Sequence, residues 1–337
     1  LLIDLDRPEH GGLASNTIIV VDEATMAGTR KLHRLLDHAQ RFQAKVVLVG
    51  DPCQLPEIEA GGAFRGLRQR LDAAHLTRNR RQQQPWERDA LARLRAGDTQ
   101  TALGAYLQHG RVKAPALGTT VRVAMANDWF EARQTGTAVM LASTRADVEL
   151  LNLFARTRLR QAGVIGDDQV RIGAAGYAEG DLVVALRNDR RIGVLNGTRS
   201  VIEHIDTERE ELRCRTEDHQ IVRIPFDYAA QGHLAHGYAM TVHKAQGATY
   251  DHCLILDSDQ LTKEAGYTAM SRGRIDNTLY LDDEICRDEA HVGEVHDDII
   301  NDLRARLRRS ATQTLALDHK RPAGPEPGLE ADFGVDL

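Results

Sequence analysis

The sequence predicts an α/β protein with two parallel-sheet domains and a small β-rich insertion in the second. Three observations carry that expectation. IIVVDEATM (18–26) and KVVLVGD (45–51) read as apolar strands flanking an amphipathic helix, a βαβ unit. TAVMLAS (137–143), HCLILD (252–257) and NTLYLDD (277–283) repeat the buried-strand pattern further along. Between about 177 and 230 the texture changes to alternation at period two.

The first strand, within TIIVVD (17–22), is β-branched and apolar throughout, so it is expected to be buried on both faces. In the following MAGTRKLHRLLDHAQRF, Leu32, Leu35, Leu36 and Ala39 recur at helical spacing. After the second strand, Pro52 and Pro56 hold DPCQLPEI in an extended loop. Beyond AHLT and RNRRQQQ (74–84), Pro85 suits the first turn of a helix over PWERDALARLRAG, and Gly97 suits its end. Asp98 is placed to cap another short helix. A helix over 119–135 then precedes the TAVMLAS strand, and Thr144 with Asp147 resembles a capping box before a long arginine-rich helix.

GDLVVALRND, IGVLNGTRSVIEHID, ELRCRTE and QIVRIPF alternate as antiparallel strands, with Asn196-Gly197 as the expected hairpin turn. A helix is expected over roughly 286–309, and the Pro/Gly/acid stretch from Arg321 has the composition of a disordered tail. The expected boundaries are 1–76 for the first domain, 77–176 with 233–310 for the second, 177–232 for the insertion and 311–337 for the tail.

Hydrophobic content of 42% with 27% charged residues is that of a soluble globular protein. No apolar run approaches the roughly 18 residues of a membrane span, so no membrane partner is expected. The opening Leu1-Leu2-Ile3-Asp4 lacks Met and looks mid-domain, the mark of a fragment. Cys53, Cys214, Cys253 and Cys286 have no paired spacing, which argues against a zinc site and fits a reducing cytoplasm. His233, His236 and Cys253 likewise lack metal-ligand spacing. A net charge of −6 gives no global attraction to nucleic acid, but arginines far outnumber the six lysines and cluster locally, which leaves room for a basic groove.

The chemistry begins at Asp22-Glu23. A carboxylate at a strand end can hold Mg²⁺ through its water shell, and its neighbour can take the proton of an attacking water. The plain alternative is a helix N-terminus favoured by negative charge. LVGDPCQLPEI (48–58) sharpens the picture, because a second parallel strand ending in Gly50-Asp51 puts Gln54 on the same rim. An uncharged amide there can bond both a γ-phosphate and the water. A loop merely turned by two prolines would leave the polar ends of both strands unexplained.

In order, IIVVDEA, VLVGDPCQLP, LTRNRRQ, GYAMTVHKAQGATYD (237–251) and YTAMSRGR (267–274) resemble motifs II to VI of superfamily 1 helicases. The likeness is to the RecD-like branch that includes the helicase halves of TraI/TrwC-type conjugative relaxases. It implies two RecA-like domains and an ATP-dependent, 5′–3′ translocase on single-stranded DNA, with ATP and Mg²⁺ as cofactors. By position it makes Asp22 the Mg²⁺-shell carboxylate, Glu23 the general base and Gln54 the γ-phosphate sensor. Arg81 and Arg272 become the arginines reaching from the second domain, with fixed charge suited to a spreading phosphoryl transition state. Gly50, Asp51, Gln82 and Gly247 fall at nucleotide-side positions.

Thr241, His243, Lys244 and Gln246 fall on the segment that the family places beside DNA, where short donors and one cation suit backbone contacts. For His243 a core position is the alternative, and Met240 and Met270 are most simply core. RIGVLNGTRSV resembles the SH3-like subdomain of RecD-type helicases, which helps guide the strand.

One element departs from the family. No lysine follows a glycine, so the Gly-Lys-Ser/Thr phosphate loop is missing from this sequence, and GGLASNT (11–17) has no lysine to replace it. The resemblance therefore predicts an N-terminally incomplete first domain, poor ATP binding by this chain alone, and a missing N-terminal region of the parent as a partner. It also predicts an unpaired edge at 46–49 and hence weak stability. Conjugative transfer or repair proteins are further partners that it implies. The rival reading is a non-catalytic module that binds single-stranded DNA without hydrolysing ATP.

Overall fold

The structure, a computed structural model, describes residues 5, 13, 14, 16–57, 59, 61–76, 78–114, 120–281 and 297–312. The chain divides into two compact units. One holds Leu1–Pro52, Pro56–Leu76 and Thr312–Leu337; the other holds Cys53–Leu55 and Thr77–Ala311.

In the first unit, β1 (Ile18–Val21), α1 (Thr29–Arg41), β2 (Lys45–Leu48) and α2 (Ala63–Arg70) follow in order. β1 and β2 pair in parallel from Ile18↔Lys45 to Val21↔Leu48. A 3-10 turn, Ala24–Met26, leads into α1, which buries Leu32, Leu35 and Ala39. Leu35 and Ala39 share a small core with Ile19. The expectation of strands buried on both faces fails here, because Ile18 and Val20 are each 63% exposed. Among the described residues this sheet has two strands, so only the face carrying Ile19 is covered. β-branched apolar character permits burial on both sides, but neighbours must supply it.

The second unit opens with α3 (Pro85–Ala96), started by Pro85 and ended by Gly97 at φ 90. α4 (Thr99–Gln108) is capped by Asp98, which accepts from the Thr101 N–H at 3.1 Å. There follow β3 (Val112–Lys113), α5 (Val121–Ala132), β4 (Ala138–Ala142) and α6 (Arg145–Gln161). Thr144 Oγ1 accepts from the Asp147 N–H at 3.1 Å; the Asp147 carboxylate takes the Thr144 hydroxyl at 2.6 Å, not the backbone N–H of a full capping box.

The β-rich part comprises β5 (Val170–Ile172), β6 (Ala175–Tyr177), β7 (Leu182–Ala185), β8 (Arg199–Asp206), β9 (Glu211–Thr216), β10 (Ile221–Pro225), α7 (Phe226–Ala230) and β11 (Leu234–His236). β12 (Ala239–Thr241), α8 (Val242–Ala245), β13 (Tyr250–Leu256), α9 (Lys263–Met270), β14 (Gly273–Tyr280) and α10 (Asp297–Arg308) complete the chain. The part of the expected 286–309 helix before Asp297, the expected tail after Thr312, and Cys286 lie outside the described residues.

The main sheet has the order β12-β4-β13-β14-β3, and every pairing in it is parallel. Its side chains alternate between two cores. Val139, Leu141, Cys253 and Ile255 face the core that includes Leu91, Leu103 and Ala269. Met140, Leu254 and Leu256 face the one built with Trp129 and Leu151. These strands are buried on both sides, as continuous apolar runs require.

The antiparallel sheet has the order β10-β9-β8-β7-β11 and its own core. Its edge strand β11 lies beyond residue 232, and the β5–β6 hairpin lies mostly before 177, so the β-rich region is wider than the alternation alone marked. Asn196-Gly197 makes a local turn, with Gly197 at φ 93 and the Thr198 N–H donating to Leu195 O at 3.0 Å, but it is not the expected hairpin turn, because residues 186–198 connect β7 to β8.

Where this region meets the parallel sheet, the fully buried Asp181 accepts from Arg156 Nε at 2.9 Å, Arg156 Nη2 at 2.8 Å and the Tyr238 hydroxyl at 2.7 Å. Among the described residues no helix is long and apolar enough to cross a membrane.

Candidate nucleotide and nucleic-acid sites

In the first unit the β1–β2 register brings Asp22, Glu23, Gly50 and Asp51 to the same strand ends. The Ala24 N–H donates to Val49 O at 2.8 Å and ties the two ends together. Glu23 sits in the left-handed region at φ 48, and its N–H donates to Asp22 Oδ1 at 2.8 Å. Asp22 is exposed and Glu23 half-buried, so both carboxylates can meet a solvated ligand. A Cβ at Gly50 would lie 3.2 Å from Phe64 and from Thr25, so the turn after β2 has little room for a larger residue.

In the second unit, motifs III, IV and VI meet at one turn. Leu55 donates its N–H to Thr268 Oγ1 at 3.0 Å, a contact spanning 213 residues of sequence. Thr268 O in turn accepts from Arg272 Nε at 2.8 Å and from the Ser271 hydroxyl at 2.9 Å. From motif IV, Arg81 Nη1 donates to Ser271 O at 2.8 Å. Gln82 Nε2 donates to Gly273 O at 2.8 Å and Ser271 O at 3.2 Å, while its Oε1 accepts from Asn79 at 2.7 Å.

Arg81, Gln82 and Arg272 are thus together. Gln82, expected beside nucleotide, is buried with both ends of its amide engaged by protein, so it holds motif VI. Arg272 is fully buried and also donates to Ser271 Oγ at 2.8 Å. Gln54 falls in this unit with Cys53 and Leu55, and its Oε1 is buried without a hydrogen-bond partner among the described residues.

Gly273 is the tightest point of the turn. A Cβ there would lie 2.0 Å from Asp276 O and 2.7 Å from Asn277 Oδ1. Gly273→Ala is therefore expected to cost about 1–3 kcal/mol, read as a lowered denaturation midpoint.

The motif V residues occupy the carboxyl end of the parallel sheet. Thr241 pairs with Ala142, and its Oγ1 accepts from the Lys244 N–H at 3.4 Å as the cap of α8. His243 and Lys244 are exposed, so the core position weighed for His243 does not hold. Partial desolvation still lowers the His243 pKa. Lys244 is lowered by desolvation and then by the neighbouring charge of Arg145. Arg145, at the start of α6, thus adds a second cation that sequence reasoning missed, because nearly a hundred residues separate the two. Gly247 adopts φ 83, a left-handed turn favouring glycine. Ser143 and Ser258 share a hydrogen bond of 2.8 Å at the same sheet end.

These residues fit Mg²⁺–nucleotide in part. The exposed Asp22 carboxylate suits a water-mediated Mg²⁺; Gln54 Oε1, unpartnered among the described residues, is an acceptor, which a water can serve and a phosphate oxygen cannot. No cluster of three or more His, Cys, Asp or Glu side chains suited to a metal occurs among the described residues.

A family model described as an AAA domain matches residues 2–116. The conjugal transfer protein TraA of Agrobacterium fabrum is 34% identical over 313 residues, which cover 92% of this chain and 27% of that protein. The ATP-dependent RecD2 DNA helicase of Deinococcus radiodurans is 28% identical, over 80% of this chain and 37% of its own length. This chain therefore spans about a quarter to two-fifths of these relatives. Among solved structures, Bacteroides Pif1 helicase in complex with ADP-AlF3 and single-stranded DNA superposes with a TM-score of 0.55 at 18% identity. That match covers 86% of this chain and 75% of Pif1 and shows a shared α/β fold with a parallel sheet. With five motifs in order and these relatives, the chain is similar to superfamily 1 RecD-like helicases and to the helicase regions of conjugal transfer proteins.

Proposed function

We propose that the chain is the catalytic part of an ATP-dependent DNA translocase that moves 5′ to 3′ along single-stranded DNA. The supporting observation is the junction at Ser271, where motif III through Leu55, motif IV through Arg81 and Gln82, and motif VI itself share one set of hydrogen bonds. A motor needs its phosphate sensor and its arginines to move together, and a shared turn couples them. Asp22 holds Mg²⁺ through water, Glu23 takes the proton of the attacking water, and Gln54 bonds the γ-phosphate. Arg81 and Arg272 neutralise the transferring phosphoryl group, Arg272 after exchanging its present bonds. The sequence itself holds no Gly-Lys-Ser/Thr phosphate loop, and the protein works in the cytoplasm in conjugative transfer or RecD-like repair.

DNA-stimulated ATP hydrolysis by the natural protein that carries this chain tests the reading. Turnover that rises with single-stranded DNA is expected; DNA binding without any hydrolysis would instead favour the non-catalytic module, which the enclosed Arg272 side chain fits. Lys244→Ala is expected to weaken single-stranded DNA binding alike for all sequences and to reduce the salt slope of log K by about 0.7, one phosphate contact. Titrations at several salt concentrations measure it.

A further inference from the structure

Behind the Ser271 turn, a buried network joins Glu87, Tyr106 and Asn277, which lie outside every motif, to motif VI. Glu87, on α3, is fully buried. Its Oε1 accepts from Asn277 Nδ2 at 2.9 Å and from the Tyr106 hydroxyl at 3.1 Å. Asn277, also fully buried, closes a ring with the motif VI turn: its Oδ1 accepts from the Gly273 N–H at 2.7 Å and its Nδ2 donates to Gly273 O at 3.2 Å. The same Gly273 O receives Gln82 Nε2, and the adjacent Ser271 O receives Arg81. One carboxylate thus fixes an amide, the amide fixes both backbone groups of Gly273, and Gly273 follows Arg272 directly.

We propose that Glu87, acting through Asn277, is a positioning residue that sets where the Arg272 and Arg81 guanidinium groups stand for phosphoryl transfer. The proposal rests on the motor reading above. A purely structural carboxylate would have no reason to terminate on the one turn that carries a charge-stabilising arginine. Nor would it need to leave Oε2 buried without a hydrogen-bond partner among the described residues.

Burial raises the Glu87 carboxyl to about 6 against the bonds from Asn277 and Tyr106 and the charge of Arg111, with Asp276 adding to the rise. Cys253 on β13 is a further ionisable group within its electrostatic reach. The ionised form accepts most strongly from Asn277, so the ring is firmest above that pH and loosens as the carboxyl is protonated.

The test is steady-state, DNA-stimulated ATP hydrolysis by the natural protein carrying this chain, with thermal melts of each variant. Glu87→Leu and Asn277→Ala are expected to lower kcat about 10- to 100-fold, the effect of a misplaced transition-state group, with KM for ATP within about two-fold. Glu87→Gln keeps only a neutral Oε1 acceptor, as the protonated acid does, so it is expected to fold, to hold kcat at the natural protein's low-pH level at every pH, and to remove the acid limb near pH 6 from the kcat profile. A folded Glu87→Leu protein with natural kcat overturns the proposal. Should that variant fail to fold, the Glu87→Gln profile decides: a limb retained near pH 6 overturns it. A natural protein that hydrolyses no ATP overturns the motor reading first and this inference with it.

Discussion

Glu23→Gln is expected to lower DNA-stimulated ATP hydrolysis about 10²- to 10⁴-fold while leaving single-stranded DNA affinity within about two-fold. The amide matches the carboxylate in size and cannot accept the proton of the attacking water. Glu23 stands at the end of β1 in the left-handed region, its N–H held by Asp22 Oδ1 at 2.8 Å. Gln tolerates that backbone as well as Glu does, so the change is chemical and leaves the fold intact. Asp22 stays in place beside it, exposed and able to hold Mg²⁺ through water. Filter binding and a coupled phosphate assay on one preparation separate the two effects. Normal hydrolysis by Glu23→Gln would mean that another group takes the proton.

Asp181→Ala is expected to destabilise the protein by about 3–5 kcal/mol, because it strands a buried guanidinium. Arg156 is buried and gives three hydrogen bonds to Asp181, keeping only Asp168, at 2.7 Å, once that carboxylate is gone. The Tyr238 hydroxyl and the Ala178 N–H also lose their acceptor. Because these partners come from α6, the turn after β6 and the segment after β11, the loss falls where the antiparallel sheet joins the parallel one.

Burial alone would raise the Asp181 carboxyl, but His236 at 3.7 Å and the bonds from Arg156 and Tyr238 outweigh it and hold the group well below the usual carboxylate range. A depressed folded pKa contributes stability that is complete above the unfolded value of about 3.9. That contribution is lost as pH falls from about 4 through the folded value. Urea titrations between pH 7 and pH 2 should show the natural protein weakening below about pH 4, with Asp181→Ala lacking this part of the decline. A variant within about 1 kcal/mol of the natural protein at pH 7 would show that Arg156 finds another partner.

Local grammar made much of the fold legible. Pro85, Gly97, Asp98 and Thr144 each stand where a helix starts or stops, because a cap is chosen by the few residues around it. The apolar runs found the strands but not their surroundings. IIVV and AVMLA look alike in sequence, yet Ile18 and Val20 are open on one face while Ala138–Ala142 is buried throughout. Apolar character belongs to the chain; coverage belongs to the neighbours.

The site divides in the same manner. Asp22, Glu23, Arg81 and Arg272 could be proposed from the sequence because motif spacing is local. Glu87 and Asn277, 190 residues apart, were not, since a buried polar pair leaves no periodic trace. Gln82 shows the converse: expected beside nucleotide, it has both ends of its amide bonded to protein, and an amide looks the same in sequence whether it faces a ligand or a backbone carbonyl.

The most direct test of the motor account is the rate of phosphate release by the natural protein that carries this chain, measured with Mg²⁺–ATP in the absence and presence of oligothymidylate. The account predicts slow release without DNA and at least about tenfold faster release with it. A rate at background with DNA present, or one indifferent to DNA, would contradict it.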